Sequence, residues 1–189
     1  MKVKFGLAMS VIALVDIAAG LVLYDSIRGQ RSDAAVINLA GAQRMLSQRM
    51  AKEALLGQQQ VVGAEDGLRA SVARFDRVLR GLAQGDAELG LEAAEDPEVQ
   101  ALLRQVGSTW SEYRPAVLRV AGQEQPDRMA LAELLRDSKT ILEQMDRTVK
   151  RFEGIARAKV QRMLILQLAA GGIGLAALGL VWGGLIRVL

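Results

Sequence analysis

The chain is 189 residues long, 51% hydrophobic, 24% charged and 4% aromatic, and it contains neither histidine nor cysteine. Ser-His-Asp and Cys-His relays, imidazole or thiolate metal ligands, disulfides, c-type haem attachment and a phospho-accepting histidine are therefore all excluded. The formal charge of +3 sets 24 basic residues against 21 acidic ones, a mixed-charge surface and not a nucleic-acid footprint.

Phe5 to Tyr24 is an apolar run with a single charge, Asp16. About twenty residues at a rise of 1.5 Å span the ~30 Å hydrocarbon core of a bilayer. Lys2 and Lys4 ahead of the run and Ala18-Ala19-Gly20 inside it also fit a cleaved signal peptide. The run continues through Tyr24, which favours an uncleaved anchor, so residues 1–24 read as a first transmembrane helix with a short tail. Asp16 is the one ionisable group at membrane depth. It is either a functional intramembrane charge or a polar contact across a helix pair, level with Gly171 and Gly172.

Residues 25–162 hold all but three of the basic residues and all but one of the acidic ones, leaving 21 against 20. Few β-branched residues and a 3.6-residue apolar period predict four helices. The first continues from the membrane to about Gln60. The second, about Glu65 to Gln84, places Leu68, Val72, Phe75, Leu79 and Leu82 on one face. The third opens with Asp96-Pro97, a cap followed by proline at the first helical position. It carries Val99, Leu102, Val106, Trp110, Tyr113 and Val117, and Pro115 is expected to kink or interrupt it. Trp110 and Tyr113 read as core, not as a ligand box. The fourth starts near Pro126-Asp127 and carries Leu131, Leu134, Leu135, Ile141, Leu142, Met145, Val149, Phe152 and Ile155. Gly85–Glu95 and Ala121–Gln125 read as links.

Residues 163–187 form a second apolar segment without charge up to Ile186, read as a second transmembrane helix before a tail at 188–189. Gly179 and Gly183 in small-xxx-small spacing permit close helix packing there. The central loop is too long for the positive-inside rule, and its basic residues near the second span oppose Lys2 and Lys4. The fold class expected is all-α, an antiparallel up-down four-helix bundle between two transmembrane helices.

The segment Ile37–Lys52 departs from a plain bundle helix. Leu39, Leu46 and Met50 form one apolar stripe. A second line through Asn38, Ala42, Met45, Arg49 and Leu56 follows coiled-coil spacing and turns away from the first. Two seams imply two burial surfaces, the chain's own bundle and a partner chain, with Ala40, Gly41 and Ala42 allowing close approach. Arg49 lies on the second seam with Met45, not an acid, one turn back. At a two-fold axis it meets its own copy, and a small planar anion between two guanidinium forks relieves their repulsion. A solvated surface arginine is the other reading of the same spacing.

The run INLAGAQRMLSQRMAKEALL resembles the first-helix motif of the PilJ-type sensor domain of type IV pilus chemotaxis transducers. It is also similar to the INxAGxxRMxSxR box of nitrate and nitrite sensor kinases, with Ile37, Asn38, Ala40, Gly41, Arg44, Met45, Ser47 and Arg49 in place. The resemblance implies a dimeric extracytoplasmic sensor domain over residues 25–162, with nitrate or nitrite bound between paired first helices. It places the principal anion-binding arginine at Arg49, with Arg44, Gly41, Asn38 and Ser47 in the same box. On an ideal helix Arg44 and Arg49 point about 140° apart, so Arg44 is expected to buttress the bundle or tune signalling. Two departures from the family pattern, Leu39 in place of lysine and the Ala42-Gln43-Arg44 run, remove positive charge near the box.

The expected setting is a bacterial inner membrane crossed twice, the central domain in the periplasm, serving chemotaxis or two-component signalling. Family members continue into a cytoplasmic output module. The chain here stops at Leu189, which reads as a fragment or as a sensor acting through a lateral signalling partner. The competing reading is a structural or adaptor membrane protein whose bundle serves association, its arginines solvated or paired to carboxylates. Enzymatic activity is not expected: acidic pairs such as Glu65-Asp66 and Glu95-Asp96 sit at helix starts, where capping explains them. No cofactor, metal or nucleic acid is expected.

Overall fold

Four long helices account for nearly all of the described chain: α1 (Lys2–Gln58), α2 (Ala64–Gln84), α3 (Pro97–Ala121) and α4 (Arg128–Ile186), with a 3-10 turn at Ala87–Leu89. The computed structural model describes the backbone over residues 2–121 and 128–186, and every side chain over 32–121 and 128–179. The side chain of Asp16, the start of the fourth helix at Pro126-Asp127 and the link over 122–125 lie outside the described residues, as does the tail at 188–189. The all-α class is as the periodicity predicts, and no strand occurs among the described residues.

The chain divides into two units, Ser32–Gly154 on the one hand and Met1–Arg31 with Ile155–Leu189 on the other. In the first, helical segments from all four helices share one core. Leu68, Val72, Phe75, Leu79 and Leu82 of α2 are all buried, as their spacing predicts. Each such side chain contributes about 1.5–3 kcal/mol by leaving water. From α3 come Val99, Leu103, Val106, Trp110, Tyr113 and Val117, and from α4 Leu134, Ile141, Met145 and Val149. Phe75 and Trp110 stack with ring centroids 4.2 Å apart, and Tyr113 sits 6.0 Å beyond Trp110. Both α3 aromatics are core.

Six apolar assignments shift. Leu103 takes the buried place expected of Leu102, Leu135 is exposed, and Leu131, Leu142, Phe152 and Ile155 are only half-buried. Pro115 does not interrupt α3. It lies on the exposed face, while the buried Tyr113 and Val117 anchor the helix on both sides of it. The Gly85–Glu95 link is more structured than a glycine loop. Asp86 Oδ1 accepts from the Glu88 and Leu89 amides at 3.0 and 3.1 Å, and Leu91 folds back into the core.

Asp96 caps α3 as its place before Pro97 predicts, accepting from the Val99 amide at 3.0 Å. Its other oxygen takes Arg151 Nη2 of α4 at 2.8 Å. The Arg151 guanidinium, helped by the Val99 amide, holds the Asp96 carboxyl below the usual carboxylate range.

The second unit exposes its apolar side chains, among them Leu14, Ile17 and Leu21 of α1 and Leu168, Ile173 and Leu175 of α4. Among the described residues, α4 is the one helix long and apolar enough to cross a membrane by length and composition. A methyl group placed on Gly171, Gly172, Gly179 or Gly183 would meet nothing within 4 Å. The close packing those glycines permit is therefore not made among the described residues.

Candidate functional site

The core-facing row of α1 is Ala40, Gln43, Ser47, Met50 and Ala54, each at 0% exposure, spaced alternately three and four residues apart. Of the predicted stripe, Leu46 and Met50 are buried and Leu39 only half-buried. The row escaped an apolar reading because two of its five members are polar.

Both polar members are bonded across the core. Gln43 Nε2 donates to the Phe75 carbonyl of α2 at 2.8 Å. The Ser47 carbonyl accepts from Ser138 Oγ of α4 at 3.1 Å and from the Tyr113 hydroxyl of α3 at 3.4 Å. Burial pushes the Tyr113 hydroxyl up to about 12, with Asp137 adding to the rise and Ser138 opposing it. Buried polar groups need such partners because an unmet one costs about 1–3 kcal/mol.

The opposite face of α1 is open. Asn38, Met45 and Arg49 are exposed and Ala42 and Leu56 half-buried, so the second seam does turn away from the core. Met45 is 68% exposed, high for an apolar side chain on a packed helix. Gly41 borders this face, and a methyl there would lie 3.7 Å from Arg44 Nη2, an ordinary contact. Ser47 does not belong to the face. It is fully buried, and its hydroxyl is spent on the Arg44 carbonyl at 2.8 Å.

The two arginines leave the helix in different directions, as the helical step predicts. Arg44 Nη1 meets Asp146 Oδ1 of α4 at 2.7 Å, an ion pair between α1 and α4. Lys150 takes the other Asp146 oxygen at 2.7 Å. Lys150, then Arg44, hold the Asp146 carboxyl below its ordinary range. Beside the pair lies an open groove of about 850 Å³ lined by Arg44, Met45, Gln48, Leu142, Glu143, Asp146 and Arg147.

Arg49 is not uncompensated. Its side chain is 57% exposed, and Nε donates to Glu53 Oε1 at 2.6 Å one turn ahead. Glu53 is only 10% exposed, and its second oxygen accepts from Ser71 Oγ of α2 at 2.8 Å. Looking one turn back from Arg49, where Met45 stands, misses this partner. Glu53 was visible in the sequence at the i,i+4 spacing. Ser71 and Asp146, contributed by other helices, were not.

Among the described residues no group of three or more acidic side chains is placed to hold a metal ion. Arg49 presents a half-exposed guanidinium, paired on one nitrogen with Glu53, on a helix face with small and apolar neighbours.

Residues 26–136 match the PilJ family, the N-terminal domain of type IV pili methyl-accepting chemotaxis transducers. The chain is 42% identical over 87 residues to the methyl-accepting chemotaxis protein McpN of Pseudomonas aeruginosa strain PAO1, covering 45% of this chain and 16% of that one. Its fold is similar to the solved ligand binding domain of the P. aeruginosa nitrate receptor McpN, with a TM-score of 0.57 and 34% identity. That match covers 65% of this chain and 96% of the solved domain.

Proposed function

The chain belongs to the PilJ family of chemotaxis-transducer N-terminal domains, and from that premise we propose that it is an extracytoplasmic sensor domain binding nitrate or nitrite at a homodimer interface. It is a ligand-binding member of a sensor family and not a catalyst. Arg49 is the principal anion ligand in this reading, with Asn38 and Gly41 on the same open face and Arg44 holding α1 against α4.

The observation that carries the reading is the outward seam of α1. Met45 and Arg49 stand exposed on a helix whose other face is already buried, in a chain similar to a receptor that senses nitrate. An apolar side chain left in water is stabilised by a partner surface. Arg49 at a two-fold axis supplies two forks to one planar anion. The central domain is an up-down four-helix bundle held in the periplasm by two membrane helices, residues 1–24 and 163–187. Exposed apolar side chains in the second unit support that placement. A downstream signalling partner reads the state of the pair, and the anion biases it through its difference in affinity for two arrangements.

A structural or adaptor role is the second reading. It predicts arginines paired to carboxylates, and Arg44 and Arg49 both have such partners.

The test is thermal unfolding of the full chain in detergent micelles with nitrate, nitrite or chloride, for wild type and Arg49→Ala. Ligand at about 100 times its Kd stabilises the folded state by about 2.7 kcal/mol. A shift with nitrate or nitrite but not chloride, lost in Arg49→Ala, is the expected result. A folded, dimeric sample that responds to none of the anions would establish the adaptor reading instead.

A further inference from the structure

The pairing of Arg49 has a direction that the adaptor reading does not require. A guanidinium carries five N–H donors on three nitrogens. Glu53 engages Nε alone, and among the described residues the terminal nitrogens Nη1 and Nη2 meet no hydrogen-bond acceptor. A planar oxyanion binds arginine through two parallel N–H bonds, and two edges of the fork can provide them. With Nε occupied, the edge formed by Nε and one terminal nitrogen is closed. The edge formed by Nη1 and Nη2 stays open.

Glu53 itself is held at both oxygens. One oxygen holds Arg49 and the other takes the Ser71 hydroxyl of α2. Gly67 of α2 closes the space from the side, since a methyl there would lie 2.8 Å from Glu53 Oε1. The carboxylate is thus wedged between α1 and α2 at a point where α2 has no side chain. Ser71 and Gly67, one turn apart, share that face of α2.

We propose that Glu53 is a positioning residue for anion binding. Anchored by Ser71 and fitted against Gly67, it holds Arg49 by Nε and presents the Nη1/Nη2 edge to the ligand. The proposal rests on the anion-sensor reading above and deepens it. Its physical content is preorganisation: a side chain already held in its binding geometry loses less freedom when the ligand arrives. Glu53 also places a negative charge near the anion, which acts the opposite way. Glu53→Ala removes both the hold and the charge. Glu53→Gln removes the charge alone, because its amide oxygen still accepts from Nε and its amide group can donate to Ser71 Oγ. The difference between the two variants isolates the hold.

The experiment uses the full chain in detergent micelles. Nitrate affinity is measured by calorimetry for wild type, Glu53→Gln, Glu53→Ala and Ser71→Ala, with circular dichroism as the check on folding. In parallel, the ¹⁵N-edited spectrum follows the Arg49 Nε–H signal, assigned by its absence in Arg49→Lys. Glu53→Ala should bind nitrate about three- to tenfold more weakly than Glu53→Gln. The Nε–H signal should be slow to exchange in wild type and Glu53→Gln, and lost in Glu53→Ala. Should Glu53→Ala lose its helical signal, Ser71→Ala decides, since it keeps the charge, frees one carboxylate oxygen and must bind more weakly than wild type. Equal affinity in Glu53→Ala and Glu53→Gln, or an Nε–H signal that persists in Glu53→Ala, overturns the proposal while leaving the sensor reading in place. A wild type blind to nitrate but with the expected Nε–H pattern overturns the sensor reading and upholds the hold of Glu53 on Arg49.

Discussion

Tyr113 is fully buried, and among the described residues the Ser47 carbonyl, at 3.4 Å, accepts its proton. Burial favours the neutral phenol, so the folded chain keeps that proton up to about pH 12, whereas the unfolded chain releases it near pH 10. The stabilisation is complete below about pH 10 and is lost as pH rises toward the folded value. Tyr113→Phe should therefore change the melting temperature little at neutral pH, because one long hydrogen bond contributes about 1 kcal/mol or less. Above pH 10 wild type should fall faster than the variant, and melting curves from pH 8 to 12 check this. The residue scale is also where the sequence was least legible. Ser47 carries the same letter as a binding-box serine, yet its hydroxyl is internal to α1 and its carbonyl serves two other helices. Its motif position was visible, but the side of the helix core on which it falls depended on how α1 is rotated.

Helices were easier to read than their partners. α2 and α3 begin and end within a residue or so of the positions their glycines, cap and period predict, because capping and amphipathic spacing are local properties. What Asp96 does beyond its own helix was not legible. The same carboxylate that caps α3 also holds Arg151 of α4, tying two elements at one point. Its folded-state affinity for a proton is lowered, mainly by Arg151. The stabilisation is thus present above the unfolded value near pH 4 and is lost as pH falls through the lower folded one. Asp96→Asn should melt at lower temperature than wild type at pH 7, and the gap between the two should narrow below about pH 4. A gap that stays constant from pH 7 to 3 would mean that the carboxylate charge contributes nothing to the cap.

For the whole molecule the decisive quantity is uncovered apolar surface, and it occurs in two settings. In the unit formed by Met1–Arg31 and Ile155–Leu189, leucines and isoleucines stand exposed on both helices, the surface that the proposed membrane placement calls for. In the Ser32–Gly154 unit, exposure is concentrated in single residues such as Met45, beside Arg49 on the outer seam of α1. If that seam is where two copies meet, Met45→Glu should leave helicity intact and shift the chain from dimer to monomer in sedimentation equilibrium. Nitrate response should fall with it, because each copy then presents one arginine alone. A Met45→Glu chain that stays dimeric would place the interface on another face.

By itself the sequence determined the helical class, the two apolar segments, most of the α2, α3 and α4 core, and the box that carries the family resemblance. All of these are written in spacing along one chain, which a helix converts into faces without help from other elements. The tertiary structure decided which acid each arginine meets. Arg44 reaches Asp146 across 102 positions, and the Glu53 carboxylate that takes Arg49 one turn away also accepts from Ser71 of α2. It also decided that Gln43 and Ser47 face inward, the Gln43 amide bonded to the Phe75 carbonyl of α2, the Ser47 hydroxyl to the Arg44 carbonyl of its own helix, and the Ser47 carbonyl to α3 and α4. Partners of this kind follow from the rotation and register of packed helices, which no single helix period contains.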